Sequence, residues 1–351
     1  MKNKLCFVLS IMIMGFQIHT ALISRVNANG DCRETVVVDA AYNNGEITHN
    51  ASGFLWSFGE WDSTAMPPDE FVRPLSIKQH RTSASYTRYQ YPRLSSLGIQ
   101  SISVISDTWR SENPNNLLPG EDGDWSKFEG VVSWLVETDK NLGIIPIYDI
   151  YNEPDNPNAY GTEKLSLYYE GWKRAYNIIR AKSPTAKIQG PEFCYALPGS
   201  EIFDEFLLYT KENNCVPDII SWHFPFDYET EVQYIRNFCS ENNIPCPQIC
   251  VSEYVKSFEQ NVGQLGWNIA QIERTGISGL HGIWTSNHDT LCDTLVKANG
   301  QYYKTAQWWA YERYAKMQGT VLKSEHSQSI EILPVFDSGS STLTVILSNN
   351  G

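Results

Sequence analysis

The chain has 351 residues, of which 40 are acidic and 27 basic, so its formal net charge at pH 7 is −13. Such an acidic surface repels phosphate backbones, which argues against nucleic acid as a partner and leaves neutral molecules unaffected. The 11 Trp and 19 Tyr residues offer flat apolar faces with a polar edge, which suit the CH faces of sugars as well as ordinary core packing.

The first 28 residues have the pattern of a secretory signal peptide. Lys2 and Lys4 precede an apolar run over residues 5–16, and small residues at 26–28 provide a cleavage site. The run is shorter than the roughly 20 apolar residues that a membrane span needs, and no later segment is long or apolar enough. We therefore expect a secreted protein, extracellular or in the lumen of the secretory or lysosomal pathway. Removing the signal, with its three basic and no acidic residues, changes the net charge to −16.

Cysteine usage fits an oxidising compartment. Cys6 leaves with the signal, and seven cysteines remain, at positions 32, 194, 215, 239, 246, 250 and 292. We expect some of them to form disulfides, with the odd one free or paired outside the sequence. The spacing of Cys246 and Cys250 also occurs in metal sites, but no matching His or Cys pair lies nearby. Asn50-Ala51-Ser52 is an acceptor for N-glycosylation, which predicts a glycoprotein.

Residues 53–286 alternate short β-rich runs with stretches of helical periodicity, which is the pattern of repeated βα units. We predict eight strands, at residues 53–57, 76–81, 101–107, 146–151, 187–191, 219–224, 248–254 and 279–286. The clearest helices are predicted at residues 125–141, 164–181, 201–213, 229–242, 260–274 and 305–317. Eight units over about 265 residues predict an α/β fold, the (β/α)8 TIM barrel. A doubly wound open sheet is the alternative, but the sequence has no glycine-rich phosphate loop.

Beyond residue 318 the pattern changes to two β runs, at residues 329–336 and 342–347, separated by Asp337-Ser338-Gly339-Ser340. We predict that residues 29–318 form the barrel and residues 319–351 a short C-terminal β-hairpin. Because two strands seldom stand alone, the hairpin either packs on the barrel as a flap or begins an accessory β-sandwich.

Two glutamates end strands of the predicted barrel, where the active sites of TIM barrels lie. The fourth strand runs into Asn152-Glu153-Pro154, and the seventh reaches Glu253. Glycosidic cleavage needs two carboxyl groups, one to protonate the departing oxygen and one to attack or stabilise the oxocarbenium-like centre. Strands four and seven face each other across a barrel, so this pair predicts a glycosidase site. The alternative is that both carboxylates form salt bridges on the rim.

Five short motifs carry a resemblance to known enzymes: Tyr151-Asn152-Glu153-Pro154, Ser221-Trp222-His223, Ser252-Glu253-Tyr254, Gly282-Ile283-Trp284 and Trp308-Trp309-Ala310-Tyr311. With them the chain resembles the clan A glycoside hydrolases, and most of all the family 39 group of β-xylosidases and α-iduronidases. The resemblance extends over nearly the whole mature chain. The loops do not align with those enzymes and the C-terminal β segment is shorter than theirs, so the resemblance does not identify the sugar.

The resemblance implies a retaining double displacement through a glycosyl-enzyme intermediate, with Glu153 as the acid/base and Glu253 as the nucleophile. It also implies that Asn152 donates to the sugar 2-hydroxyl, that His223 lies beside the nucleophile, and that Trp284 forms a platform under the sugar. Packing of a large aromatic against the core is the alternative for Trp284.

Four further residues at predicted strand ends are candidates for substrate contact: Arg81, Asp107, Trp109 and Tyr254. A full positive charge at Arg81 would help to keep the nucleophile ionised, and a structural ion pair is its alternative role. Asp107 and Trp109 are as readily explained by a structural role as by contact with hydroxyl groups.

The implied mechanism needs Glu153 protonated while Glu253 is ionised. We expect the nearby charge of Glu253 and partial burial to raise the pKa of Glu153. Arg81 and His223 should hold the pKa of Glu253 down by favouring its charged form.

Two other functions compete with a retaining glycosidase. A catalytically silent barrel that binds carbohydrate is the main alternative, because a fold does not guarantee its chemistry. Metal-dependent hydrolysis is weaker, since the seven histidines form no His-x-His or His-Glu-x-x-His spacing. We therefore expect no metal or other cofactor, and an oligosaccharide, polysaccharide or glycoconjugate as the substrate.

Overall fold

The computed structural model describes residues 34–59, 66–113, 117–285 and 287–349. The predicted signal peptide and Cys32 lie outside these residues. A first strand, β1 (Val37–Glu46), precedes a closed barrel of eight parallel strands. The barrel strands are β2 (Gly53–Leu55), β3 (Gln79–Ser83), β4 (Gln100–Val104), β5 (Ile147–Asp149), β6 (Ile188–Phe193), β7 (Ile219–His223), β8 (Gln248–Tyr254) and β9 (Ser278–His281). This closed barrel confirms the predicted fold class.

The helices follow the barrel strands in the predicted alternation. The described residues form α1 (Asp69–Val72), α2 (Ala84–Ser96), α3 (Ile105–Glu112), α4 (Ser126–Asn141), α5 (Leu165–Lys182), α6 (Glu201–Glu212), α7 (Tyr228–Glu241), α8 (Val262–Thr275) and α9 (Ala306–Ala315). The six helices predicted from periodicity correspond to α4 through α9, to within two residues at either end. Single 3₁₀ turns occur at Arg73–Leu75 and Ser257–Glu259.

Local capping explains where several of these helices begin and end. The side chains of Asp227, Asn261 and Thr305 each accept a backbone N–H in the first turn of α7, α8 and α9. Gly276 ends α8 with φ of 68°, a left-handed conformation that glycine adopts without steric cost. These caps fix the lengths of the loops that follow β7 and β8.

The barrel differs from the prediction at several strand ends and in its helices. The eighth strand was expected to reach residue 286, but β9 ends at His281. The third strand was expected to reach residue 107, but β4 ends at Val104 and the chain turns at once into α3. The helix α2 was not predicted, because its buried face includes Thr87 and Gln90 as well as Ala84 and Leu94. A face with polar members has weak apolar periodicity, so the sequence does not reveal it.

The barrel interior is unusually polar at the end where the strands stop. Arg81, Asp149, Ser221, His223 and Ser252 are all at most 1% exposed. Apolar branched side chains normally fill a TIM barrel. Buried polar groups are stable only when they are hydrogen-bonded to one another, so this interior indicates a network with a function.

A four-stranded antiparallel sheet packs beside the barrel, in the order β1, β12 (Thr320–Glu325), β13 (Ile330–Asp337), β14 (Thr342–Asn349). The predicted hairpin is therefore present as β13 and β14, but it joins two further strands, and β1 comes from the segment assigned to the barrel. Buried Glu331 in β13 accepts from Gln271 and forms an ion pair with Arg274 of α8. Gly266 of α8 lies against Ser348 without a side chain to keep them apart. A separate two-stranded ribbon consists of β10 (Leu295–Ala298) and β11 (Gln301–Lys304).

None of the expected disulfides occurs among the six described cysteines, which are all free thiols. Cys215, Cys250 and Cys292 are fully buried, where a thiol packs like a small apolar residue. Burial, together with the charge and hydrogen bond of neighbouring Cys246, raises the pKa of Cys239 to about 12.

In the part of the chain that the structure describes, no helix has the length and apolar character needed to cross a membrane. Asn50 is partly exposed in the turn before β2, so the glycosylation acceptor is accessible at the surface. Glycosylation itself stays a prediction.

Candidate active site

Glu153 and Glu253 converge over the carboxyl end of the barrel. Glu153 follows β5, and Glu253 is the last but one residue of β8. One oxygen of each carboxylate and one ring nitrogen of His223 all lie within 4.8 Å of one another. The side chains are 24% and 13% exposed, so both remain accessible to a small group entering from the rim.

Arg81 links the carboxylates to the floor of the barrel. It projects from β3 and donates to Asp149 Oδ2 at 2.7 Å, to Glu253 Oε1 at 3.1 Å and to Asn152 Oδ1 at 2.6 Å. A third carboxylate, Glu192, lies 3.5 Å away. Burial opposes the charge of Arg81, but these carboxylates outweigh it and raise the pKa of the guanidinium. Arg81 is therefore a permanent positive charge with a structural and an electrostatic role at once.

His223 is a fully buried bridge between three carboxylates. Its Nδ1 lies 3.2 Å from Glu153 Oε1 and 3.8 Å from Glu253 Oε1, and its Nε2 lies 3.2 Å from Glu192 Oε2. Burial lowers the pKa of His223, but the three carboxylates raise it to about 10. At neutral pH the ring is therefore an imidazolium, and both of its N–H groups donate.

Glu192 is a site residue that the sequence analysis missed. It is fully buried at the end of β6 and accepts from Ser221, Ser252, Gln189 and His223. Burial raises its pKa, but the charges of Arg81 and His223 and these hydrogen bonds lower it further than burial raises it. Glu192 is therefore ionised and holds His223 in place.

The signal for Glu192 was present in the sequence. It directly follows the fifth predicted strand, and the same strand-end criterion selected Glu153 and Glu253. The backbone at Glu153 and at Glu192 has a positive φ, of 50° and 63°, which is uncommon for a residue other than glycine. The Glu153 N–H donates to the Glu192 carbonyl at 3.1 Å, so the two strand ends are held together. Strain of this kind is concentrated at functional sites.

The pKa directions of the two principal glutamates are opposite to those expected. Burial raises the pKa of Glu153, but the hydrogen bond and charge of His223, with Asn156 and Arg81, lower it overall. Burial raises the pKa of Glu253, and His223 and Arg81 only reduce that effect. The expectation was wrong because His223 donates to Glu153 rather than to Glu253, and because Glu253 lies deeper.

Asn152 and Trp284 lie where a ligand can reach them. The side-chain oxygen of Asn152 accepts from Arg81, which turns its amide nitrogen away from the guanidinium. That nitrogen has no partner among the described residues. Trp284 is 42% exposed, and its indole N–H donates to the Val255 carbonyl at 2.7 Å. Both positions suit the predicted roles, which stay predictions.

Two predicted contacts are wrong. Tyr254 is fully buried, and its hydroxyl bonds to Ala51 and Tyr311 between β8 and the helix layer. Trp109 is 5% exposed, with its indole N–H donating to the Leu117 carbonyl and its ring packed edge-on against Phe128. Side chains alternate along a strand, so Tyr254 points outward because Glu253 points inward. Trp109 lies in α3, whose early start turns it towards the core.

Asp107 also lies in α3 and not at a strand end. Its carboxylate is 3.5 Å from Arg110 and accepts from Ser106. Burial raises the pKa of Asp107, and the charges of Arg110 and Arg81 oppose this. Asp107 therefore contributes to the field around Arg81, although the structure places it beside the carboxylate cluster and not within it.

Glu153, His223 and Glu253 are also close enough to be ligands of one metal ion. Arg81 lies 3.1 Å from Glu253, and the raised pKa of His223 leaves its ring without a free lone pair at neutral pH. Arg81 and His223 therefore already offset part of the negative charge of these carboxylates. The expectation that no metal is needed stays a prediction.

The fold has relatives among solved structures. No known protein-family profile matches the sequence, and no curated protein is significantly similar to it. The protein N2152 from Neocallimastix frontalis is 24% identical, with a TM-score of 0.73 over 89% of this chain and 80% of N2152. A glucosidase from Croceicoccus marinus is 15% identical, with a TM-score of 0.67 over 90% of this chain and 78% of the glucosidase.

The family named in the sequence analysis is also among these structures. A GH39 β-xylosidase from Caulobacter crescentus is 13% identical, with a TM-score of 0.61 over 86% of this chain and 78% of the xylosidase. At these identities the likeness concerns the fold. The chain has the barrel fold of the GH39 β-xylosidases, as the resemblance of its sequence motifs implies.

Proposed function

We propose that this protein is a retaining glycoside hydrolase that cleaves O-glycosidic bonds through a glycosyl-enzyme intermediate. The observation that carries the proposal is the pair Glu153 and Glu253, with oxygens within 4.8 Å at the carboxyl end of the barrel. Retaining enzymes hold their two carboxyl groups about 5–5.5 Å apart, whereas inverting enzymes leave room for a water between them. The fold it shares with glycoside hydrolases supports the same conclusion.

Glu153 is the acid/base, and His223 supplies its proton. The Nδ1–H of the imidazolium lies 3.2 Å from Glu153 Oε1, so the proton moves to the carboxylate as the glycosidic oxygen approaches. Glu153 then passes this proton to the departing oxygen. The lowered pKa of Glu153 is compatible with this role, because the proton stays within the Glu153–His223 pair at neutral pH.

Glu253 is the nucleophile. Its attack on the anomeric carbon forms an ester as the bond to the departing oxygen breaks. Arg81, 3.1 Å away, favours the charged form that attack requires. After esterification Glu253 carries no charge, and Glu153 removes a proton from the incoming water and returns it to His223. Water attack releases the sugar with its original anomeric configuration and restores Glu253.

Asn152 and Trp284 position the sugar. The free amide nitrogen of Asn152, fixed by the bond from Arg81, donates to a ring hydroxyl next to the anomeric carbon. The exposed face of Trp284 packs against the CH groups of the ring. The predicted signal peptide supports action outside the cytosol, in the secretory pathway or beyond.

The experiment is hydrolysis of aryl glycosides, namely a xyloside, arabinosides, galactosides, a glucoside and an iduronide, by the wild type and by Glu153→Ala. Removing a general acid/base slows the reaction by about 10²–10⁴-fold. Azide attacks the glycosyl ester without needing a base, so it should restore turnover of the variant and yield a glycosyl azide of retained configuration. A product of inverted configuration contradicts retention.

Two controls separate the competing functions. Activity that survives EDTA excludes metal-dependent hydrolysis. A folded wild type that binds glycans but releases no sugar from any aryl glycoside or oligosaccharide is a silent binder, and the proposal is then wrong.

A further inference from the structure

The most exposed large apolar side chains of the described residues all lie on one side of the catalytic rim. Phe226 is 81% exposed, Phe258 79% and Tyr195 68%. They follow β7, β8 and β6 by three, four and two residues. These are the strands that carry His223, Glu253 and Glu192. Exposed apolar side chains scattered singly are normal, but three on adjacent loops of one site indicate a binding surface.

The backbone holds these three rings in place. The Phe226 N–H donates to Glu231 Oε1 at 2.8 Å, and the Tyr195 N–H donates to Asp155 Oδ2 at 2.7 Å. Next to Phe258, the Lys256 N–H donates to Glu259 Oε2 at 3.0 Å. The exposure of the rings is therefore a property of anchored loops.

Lys256 joins two of the rings. Its ammonium lies 4.6 Å from the centroid of Phe226 and 6.0 Å from that of Phe258. The contact covers part of one ring face, and exposures near 80% leave the remainder of each ring open. A row of aromatic faces with a hydrogen-bond donor between them matches a sugar, which has CH faces and hydroxyl edges.

The surface is continuous with the catalytic residues. The rings of His223 and Phe224 are 5.6 Å apart, and Phe224 lies 5.5 Å from Trp284. The Trp284 indole binds the carbonyl of Val255, the residue before Lys256. Ring contacts as far as Trp284, and then Val255 and Lys256, therefore connect the proposed cleavage point to Phe226 and Phe258.

We propose that Tyr195, Phe226 and Phe258, with Lys256, form a ledge that binds the sugar units of a glycan chain beyond the bond that is cleaved. The proposal rests on the proposed function and makes the substrate an oligosaccharide or polysaccharide. None of the three rings stacks on another aromatic ring within the described structure. Separate rings on three loops suit successive sugars of a chain, whereas a protein partner needs a contiguous apolar patch.

The first test compares short and long substrates. Phe226→Ala combined with Phe258→Ala should leave kcat/KM within about twofold for the aryl monoglycoside that the wild type cleaves best. For the hexasaccharide of the same sugar, kcat/KM should fall by about tenfold or more, because two stacking contacts are lost. Tyr195→Ala should show a smaller loss of the same kind. Tyr42→Ala, at a 64% exposed tyrosine in β1, is the matched control and should change neither value.

Equal losses on both substrates, or no loss on the hexasaccharide, overturn the ledge while the proposed hydrolysis stands. The second test does not depend on turnover. Native gels containing xylan, hydroxyethyl cellulose, galactomannan or agarose should retard Glu253→Gln in at least one case. The added Phe226→Ala and Phe258→Ala changes should abolish that retardation, whereas Tyr42→Ala should not. Retardation in none of the four gels, or retardation that survives the double change, contradicts the ledge.

Discussion

The two ends of the barrel differ in what their polar groups do. At the end where the strands begin, a cavity of about 420 Å³ is lined by Gln79, Gln100, Lys187 and Gln248 among others. Its one charged lining residue, Lys187, donates to Gln248 at 2.7 Å. At the opposite end Glu153, Glu192, Glu253, His223 and Arg81 meet.

The comparison shows that a sizeable cavity can lack the ionisable groups that catalysis needs. No carboxylate lines the cavity at the strand starts, within the residues described. At the strand ends, charges of both signs lie in contact and shift each other's pKa values. Perturbed ionisable groups in a cleft are a better indicator of chemistry than the size of a cavity.

The largest expected effect comes from Glu253→Gln, which removes the nucleophile and keeps its shape. Turnover of the best aryl glycoside should fall by on the order of 10⁴-fold or more, since an amide cannot form the ester intermediate. Glu201→Gln, at an exposed carboxylate at the start of α6, is the control and should retain full activity. Near-normal turnover of a folded Glu253→Gln would contradict the assignment of Glu253 as the nucleophile.

Arg81→Met tests whether the charge network also holds this end of the barrel together. The change leaves Asp149, Glu192 and Glu253 without their cation, and breaking a buried ion pair costs about 3–5 kcal/mol. Urea unfolding should report a loss of this size. Arg73→Met breaks an exposed pair with Asp69 and should cost at most about 1 kcal/mol. Equal losses of unfolding free energy in Arg81→Met and Arg73→Met would contradict a stabilising role for the Arg81 network.

Glu192→Gln tests the positioning of His223 without touching either principal glutamate. The amide keeps the shape but removes one of the three carboxylates that raise the pKa of His223. The active form holds the proton, so the rate falls as pH rises through this pKa. The alkaline limb of the kcat profile should therefore move to lower pH, with kcat lower by about tenfold, as for partners that orient other functional histidines. An unshifted limb contradicts the positioning role.

The pH dependence of stability follows from the same histidine. The pKa of His223 is about 10 in the folded protein and 6.5 in the unfolded chain. Its contribution to stability is therefore fully present below about pH 6.5 and is lost as pH rises through 10. The free energy of unfolding of the wild type, minus that of His223→Gln, should decrease between pH 6.5 and 10. If this difference in unfolding free energy does not change with pH, then Glu153, Glu192 and Glu253 do not stabilise the imidazolium.

The smallest effect is expected at the opposite end. Gln100→Ala and Gln248→Ala enlarge the cavity without touching any ionised carboxylate, so kcat/KM should stay within about twofold. The free energy of unfolding should change by no more than about 0.5 kcal/mol, which is usual away from special features. A loss of activity in either variant, measured on the same aryl glycoside, would show that the cavity at the strand starts also contributes to catalysis.

The sequence predicts the barrel well because each βα unit is a local pattern. The sequence also predicts that Glu153 and Glu253 lie on one rim, because the carboxyl ends of parallel strands share an edge. Composition located the strand ends, but it does not show which side chains point into the barrel. Tyr254 points outward because of the pleat of β8, and Trp109 points to the core because α3 begins at Ile105. The reversed pKa directions of Glu153 and Glu253 depend on which carboxylate His223 reaches, and differences of 3.2 against 3.8 Å cannot be obtained from a sequence.

The pairing of β1 with β12 has a consequence for biosynthesis. Val37 pairs with Glu325, so β1 leaves the ribosome long before β12, its partner in the sheet, has been made. During that time β1 has unpaired N–H and C=O groups on both edges, the state in which strands associate with other chains. Most of its side chains remain exposed even in the finished sheet, and β1 includes few large apolar residues. With so few large apolar side chains, β1 offers other chains little to associate with before β12 is made.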